Sequence, residues 1–269
     1  MSENYHSDRS RISNSQLSRL KESPKLYYQE YVLGKRGKAT LAMLRGSMVH
    51  TLVLEPHLYP EIYAIAPKCD RRTKVGKEVY AEFEKTAHCF EVVAEEQHNE
   101  AELIANAILS HAEFAKCMSM IDEWAVVEKR IDFDWQGTPC RCKPDLLLPK
   151  HKLCVDLKTT ADATPEGFAK SVASYGYHRQ QAFYQHAIEQ HYGEEFRFLF
   201  AVVETSEPYN AAVYELDAAS VDAGRQEINL LLDELDRRTR DNDWTPEYSK
   251  GIVPLTLPRW YRSNIYEVE

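Results

Sequence analysis

Apolar residues recur along this chain at two periods, and the change from one to the other is the first guide to its architecture. Ser13 and Gln16 have the spacing of a capping box ahead of Leu17 and Leu20. Ser23-Pro24 then interrupts the run before Tyr27, Tyr28 and Tyr31, which predicts two short helices or one broken helix. Leu41, Leu44, Met48 and Leu52, with Val49 and Val53 beside them, predict an amphipathic helix over Thr40–Glu55, ended by Pro56. Glu61–Ala66 and Phe90–Ala94 read as short strands. Between them a basic loop, Asp70–Lys77, runs into a helix around Val79, Phe83 and Thr86. Glu95–Met118 reads as one helix.

The period then falls to two. Trp124–Phe133, Pro139–Leu148 and Leu153–Lys158 read as strands separated by Trp135-Gln136-Gly137 and Pro149-Lys150-His151, a β-meander. Helices over Pro165–Ser174 and His178–His191, strands over Phe196–Glu204 and Ala211–Leu216, and a long helix over Ala218–Arg240 complete the pattern. The tail from Trp244, with Pro246, Pro254 and Pro258, is expected to wrap the surface. This order predicts an α/β fold with a mixed central sheet flanked by helices. One domain over 1–269 is expected: a mainly helical part at 1–120, the sheet and its helices at 121–217, and the last helix and tail at 218–269.

Composition changes this picture little. At 269 residues, 43% hydrophobic and 28% charged, the chain can bury a sizeable core. No apolar run reaches transmembrane length and MSENYHSDRS is too polar for a secretory signal, so no membrane association and a cytoplasmic location are expected. The net charge of −9 weighs weakly against nucleic-acid binding, yet a basic groove can coexist with an acidic exterior. Six cysteines include no C-x-x-C pair and none beyond Cys154, so reduced structural thiols are expected rather than a zinc ribbon.

The candidate chemistry lies in Lys143-Pro144-Asp145 and, eleven positions on, Asp156-Leu157-Lys158. Asp156 and Lys158 leave one face of a strand. Two carboxylates held close repel unless a cation lies between them, and a hard divalent ion such as Mg²⁺ takes oxygen ligands of this kind. Lys158 can orient a water or meet charge developing on a phosphate. Glu128, on the preceding strand, and His50, mid-helix, are further candidate ligands. The same residue types serve elsewhere as solvated strand glutamates and buried hydrogen-bonded histidines. Arg71, Arg72, Lys74 and Lys77 lie where a helix begins and can contact phosphate, or simply form a solvated loop. Arg45 and Ser47 lie about a turn from His50 and can meet a terminal phosphate. Lys35, Arg36 and Lys38 read as surface charges, and Tyr27, Tyr28 and Tyr31 as core residues rather than a DNA wedge.

Pro144-Asp145 with Asp156-Leu157-Lys158 resembles the PD-(D/E)xK nuclease signature. Gly46 with His50 resembles the G-x-x-x-H element of its exonuclease branch, and Gln180 with Tyr184 the branch's Q-x-x-x-Y motif. Ser13-x-Ser15-x-x-Ser18, His50–Pro56, Arg71-Arg72-Thr73, Cys140-Arg141-Cys142, Asp156–Asp162, Tyr177-His178 and Leu257-Pro258-Arg259-Trp260 are similar to fragments of the RecE family, exonuclease VIII of prophage recombination systems. The resemblance implies a restriction-endonuclease-like core with a helical N-terminal elaboration. It implies a Mg²⁺-dependent (Mn²⁺ substituting) processive 5′→3′ exonuclease on double-stranded DNA ends. It also implies a homotetrameric ring, with the 3′ strand passed to a RecT-like annealing protein. By the same resemblance His50, Asp145 and Asp156 are metal ligands, with Glu128 less securely placed. Lys158 is then the catalytic lysine, and Gln180 and Tyr184 support substrate. Rival readings are a restriction-type endonuclease, a single-strand nuclease, or a non-catalytic DNA-end-binding protein on this fold.

Overall fold

In the computed structural model, which describes residues 8–35, 37, 39–258 and 261, five strands form a mixed sheet in the order β3-β6-β7-β8-β9. These are Val126–Val127, Leu146–Leu148, Leu153–Thr160, Arg197–Glu204 and Ala211–Tyr214. Only β7 and β8 run parallel. A parallel pair needs a crossover, and α8 (Pro165–Tyr175) and α9 (Tyr177–Tyr192) supply it. Gly176, at φ 70, turns one helix directly into the next. β6 and β8 are buried on both faces, so they read as apolar runs. Alternate residues of each strand serve two cores. Leu147, Cys154, Phe198, Phe200 and Val202 pack with Phe168 of α8 and Phe183 and Ile188 of α9. Leu146, Val155, Leu157, Leu199 and Ala201 pack with Met48, Val49 and Val53 of α3 (Leu41–Leu54) and Ile104 and Ile108 of α6 (Glu95–Leu109).

α1 (Asn14–Glu22) starts with the capping box of Ser13 and Gln16, and α2 (Pro24–Tyr27) follows the break at Ser23 and passes into a π turn. Short α4 (Tyr59–Ile62) leads into β1 (Tyr63–Ala66), which pairs in parallel with β2 (Glu91–Ala94) across α5 (Lys74–Ala87). α10 (Ala218–Asp241) packs along α9. Tyr27 and Tyr28 stack on Trp244, so their use is packing.

Four elements depart from the sequence reading. The expected helix over Glu95–Met118 is two, because Ser110-His111 separates α6 from α7 (Ala112–Ser119). The strand expected over Trp124–Phe133 breaks at Glu128, whose φ of 50 lies in the left-handed region; β4 (Ile131–Trp135) begins beyond it. The strand expected over Pro139–Leu148 breaks at Lys143-Pro144-Asp145, leaving β5 (Thr138–Cys142) and β6. The meander is therefore a separate β4–β5 hairpin and a β6–β7 hairpin within the main sheet. The tail lies on the surface only at its start, where Trp244 stacks on Tyr27 and Tyr28; further on, Ile252 and Leu255 stand 102% and 98% exposed. Arg36, Lys38, Arg259 and Trp260 lie outside the described residues.

Candidate metal centre

The interruption of β6 opens the site. β6 and β7 pair with Leu146 opposite Val155, so an extended ladder would set Pro144 opposite Leu157. Proline has no N–H to give that ladder. Leu157 instead uses both main-chain groups on site side chains. Its N–H donates to Asp145 Oδ2 at 2.8 Å, and its carbonyl accepts from His50 Nε2 at 2.9 Å. The Pro-Asp dipeptide thus ends one strand and hands its neighbour's backbone to two side chains. With Nε2 donating, the neutral imidazole keeps its lone pair on Nδ1. That atom faces Asp145 Oδ2 at 3.6 Å and Glu128 Oε1 at 3.9 Å.

His50 reaches this notch from α3, on one face of the sheet. Glu128 reaches it through its left-handed backbone, with its N–H donating to the Asp145 carbonyl at 3.0 Å. A non-glycine residue held there costs of order 1–3 kcal/mol, a strain found most often at functional positions. Ligand atoms of His50, Glu128 and Asp145 all lie within 4.8 Å of one another.

Asp156 and Lys158 leave β7 toward α9. Asp156 is fully buried; one oxygen pairs with Lys158 Nζ and the other accepts from Gln180 Nε2 at 2.7 Å. Asp156 thus stands beside the three-residue cluster rather than within it, with both oxygens already in use. Tyr184, one turn past Gln180 on α9, lines an adjoining cleft of about 770 Å³ with Gln180 and Lys143.

The electrostatics follow from this crowding. Burial, reinforced by the charge on Asp156, pushes the Asp145 carboxyl up to about 7. Burial acts against the charged imidazole of His50, but Asp145 and Glu128 outweigh it and the net shift is upward. Burial likewise opposes the Lys158 ammonium, yet Asp156 and Asp145 carry its pKa upward, so it stays protonated. A cluster that raises both an acid and a base is short of positive charge. Two carboxylate oxygens and one imidazole nitrogen at this spacing suit a divalent ion, so the donor set fits the metal that the sequence motif implies.

The family model of a PDDEXK-like domain of unknown function matches residues 13–252. The chain belongs to this PDDEXK-like family. A crystal structure of a protein from Eubacterium rectale, described as "Putative exonuclease", superposes with a TM-score of 0.64 at 17% identity, covering 100% of this chain and 98% of that one. At that identity it shows the fold alone. The structure of SSO0001, at TM-score 0.26, 13% identity and coverage of 69% and 85%, carries no argument. No curated protein matches.

Other predicted residues of this PDDEXK-like chain have local partners. Arg45 pairs with Glu100 at 3.0 Å, and Ser47 is exposed on α3. Arg71 covers the Tyr80 ring at 3.8 Å, Arg72 pairs with Asp70, Lys74 approaches Glu78 at 4.0 Å, and Lys77 is exposed. These four sit at the start of α5, which packs on β1. The structure brings Gln180 and Tyr184 to the centre and leaves the α5 group on a different sheet.

Three residues were given no role by the sequence reading. Lys143 pairs with Glu128. Tyr177 places its ring 4.9 Å from Lys158 Nζ. Arg179, 1% exposed, binds Asn14 and Ser18 of α1 and Glu227 of α10, and so fixes the helix that carries Gln180. The early Ser/Asn cluster was the available signal for Arg179, since polar groups taken into the interior need hydrogen-bond partners.

Proposed function

We propose that this chain is a divalent-metal-dependent nuclease, and that it degrades DNA from double-stranded ends in the 5′→3′ direction. The observation that carries the nuclease reading is the convergence of His50, Glu128 and Asp145 at the β6 notch, with the Lys158 ammonium on the adjoining strand. These three residues hold the ion, Mg²⁺ or Mn²⁺. Asp156 is a fourth candidate ligand through a lone pair left on either oxygen. When bound, the ion supplies Lewis acidity toward the phosphate and makes water nucleophilic at neutral pH.

The chain's own residues do the rest. Lys158, protonated and 14% exposed, meets negative charge as it grows on the phosphate. Asp156 fixes that ammonium, and Gln180 fixes Asp156. His50 is locked in one orientation by the Leu157 carbonyl, as ligand histidines generally are by their second nitrogen. Exonuclease action, the ring-shaped tetramer and delivery of a 3′ strand to an annealing protein belong to the same proposal. They rest on the RecE-like motifs, and the exonuclease label of the structural neighbour agrees with the first of them.

The test is digestion of end-labelled linear duplex and closed circular DNA, with Mg²⁺ or with chelator. Metal-dependent release of nucleotides from linear but not circular DNA is expected. Lys158→Ala and Asp156→Ala are expected to lose at least about a hundredfold in rate while melting cooperatively. Full activity in either variant overturns these roles, and cutting of the circle overturns the exonuclease reading.

A further inference from the structure

The cleft beside the cluster is lined by Lys143, Gln180, Tyr184, Tyr175 and Tyr177, among others. Its cations are already engaged: Lys143 with Glu128, and Arg19 with Glu22 at 2.5 Å and Glu30 at 3.0 Å. What it offers openly is an aromatic face. Tyr175 is 65% exposed. Its ring touches Tyr177 at 5.7 Å between centroids, and Tyr177 in turn stands 4.9 Å from Lys158 Nζ.

Tyr175 is also held rigidly. It is the last residue of α8, and the next is Gly176 at φ 70. A Cβ on Gly176 would lie 2.6 Å from the Arg179 guanidinium, so only glycine fits the turn. Arg179 is itself pinned by Asn14, Ser18 and Glu227. The ring therefore projects from a fixed corner rather than from a pliable loop.

We infer that Tyr175 is a stacking platform for an unpaired nucleobase of the strand whose phosphate lies at the metal centre. This rests on the nuclease reading above. A strand that sets a phosphate against Lys158 must place the neighbouring base within reach of the Tyr175–Tyr177 pair. Every base presents a π face, so such a platform grips a strand whatever its sequence. Bases inside a duplex are stacked on one another and do not present that face sideways. The nucleotides entering this cleft are thus unpaired, and the substrate at the moment of cutting is a single strand or a frayed end.

The experiment compares wild type with Tyr175→Ala and Tyr175→Phe on three substrates, with Mg²⁺ or Mn²⁺. These are a labelled single-stranded oligothymidylate, the same oligonucleotide with one abasic site at each of the positions flanking the cut, and a strand of the same length abasic throughout, a phosphodiester without bases. Tyr175→Ala is expected to raise KM on the intact oligonucleotide about tenfold, the effect of losing one stacked base. Tyr175→Phe should restore the wild-type value, and hydrolysis of the base-free diester strand should be the same in all three proteins. An abasic site at one position should cost wild type the same factor and cost Tyr175→Ala nothing more. Wild-type KM in Tyr175→Ala, or losses from the variant and the abasic site that multiply independently, overturn the inference alone. A wild type inert on both the oligonucleotide and the diester overturns the nuclease reading and this inference with it.

Discussion

Replacing Asp145 by asparagine tests whether the centre is built around a missing positive charge. Burial, with the charge on Asp156 beside it, pushes the Asp145 carboxyl up from its ordinary value of 3.8 to about 7. A raised carboxyl binds its proton more tightly in the folded chain. Its contribution to stability is therefore whole below the unfolded value and is lost as pH rises toward the folded one. A gap of roughly three units corresponds to a loss on the order of 4 kcal/mol between about pH 4 and pH 7. The upward shift of His50 acts in the same direction, its contribution being lost as pH rises beyond the ordinary imidazole value of 6.5.

Asp145→Asn removes the charge and keeps an oxygen that can accept from the Leu157 N–H. With chelator present at pH 8, the variant should melt higher than wild type by something on the order of 10 °C. Near pH 4 the two should melt together. Mg²⁺ or Mn²⁺ should then raise the wild-type midpoint by mass action and leave the variant where it was. Thermal melts over pH 4–8, with and without ion, provide the measurement. A variant no more stable than wild type at pH 8, or a difference independent of pH, would refute the argument that the carboxylates here await a cation.

Three other outcomes follow from the same geometry. His50→Ala should weaken binding of Mn²⁺, measured by calorimetry, and lower stability by about 1–3 kcal/mol, since the buried Leu157 carbonyl loses its donor. Lys143→Met should tighten the ion by a factor of no more than about five, because an ammonium that competes for Glu128 is gone and the pair is partly exposed to solvent; weaker binding would count against that competition. Arg179→Ala should cost about 3–5 kcal/mol in denaturant unfolding, the price of breaking a buried charge network, and only a small loss would mean that α1 and α10 do not depend on it to hold α9.

The fold was legible where strands are apolar runs, as in β8, and where helices carry their own stops, as at Ser23-Pro24 and Gly176; Ser110-His111, between α6 and α7, gave no such signal. Asp156 and Lys158 were legible as a pair because one strand sets their spacing, and Gln180 only through its resemblance to the Q-x-x-x-Y motif. The route of Glu128 was not. Alternation along a continuous strand was expected to aim it, whereas its left-handed backbone does so, and the sequence Val126-Val127-Glu128-Lys129-Arg130 contains no glycine or asparagine to mark such a turn. Only the surroundings enforce it: the Asp145 carbonyl takes the Glu128 N–H, and Lys143 takes its carboxylate. Both partners flank Pro144, so the proline that ends β6 also sets the neighbouring chain's bend. For the same reason Asp145 was visible as a ligand type, while its position was not. A carboxylate that replaces a ladder acceptor is aimed by the register of two strands, and register is a property of the pair rather than of either sequence segment.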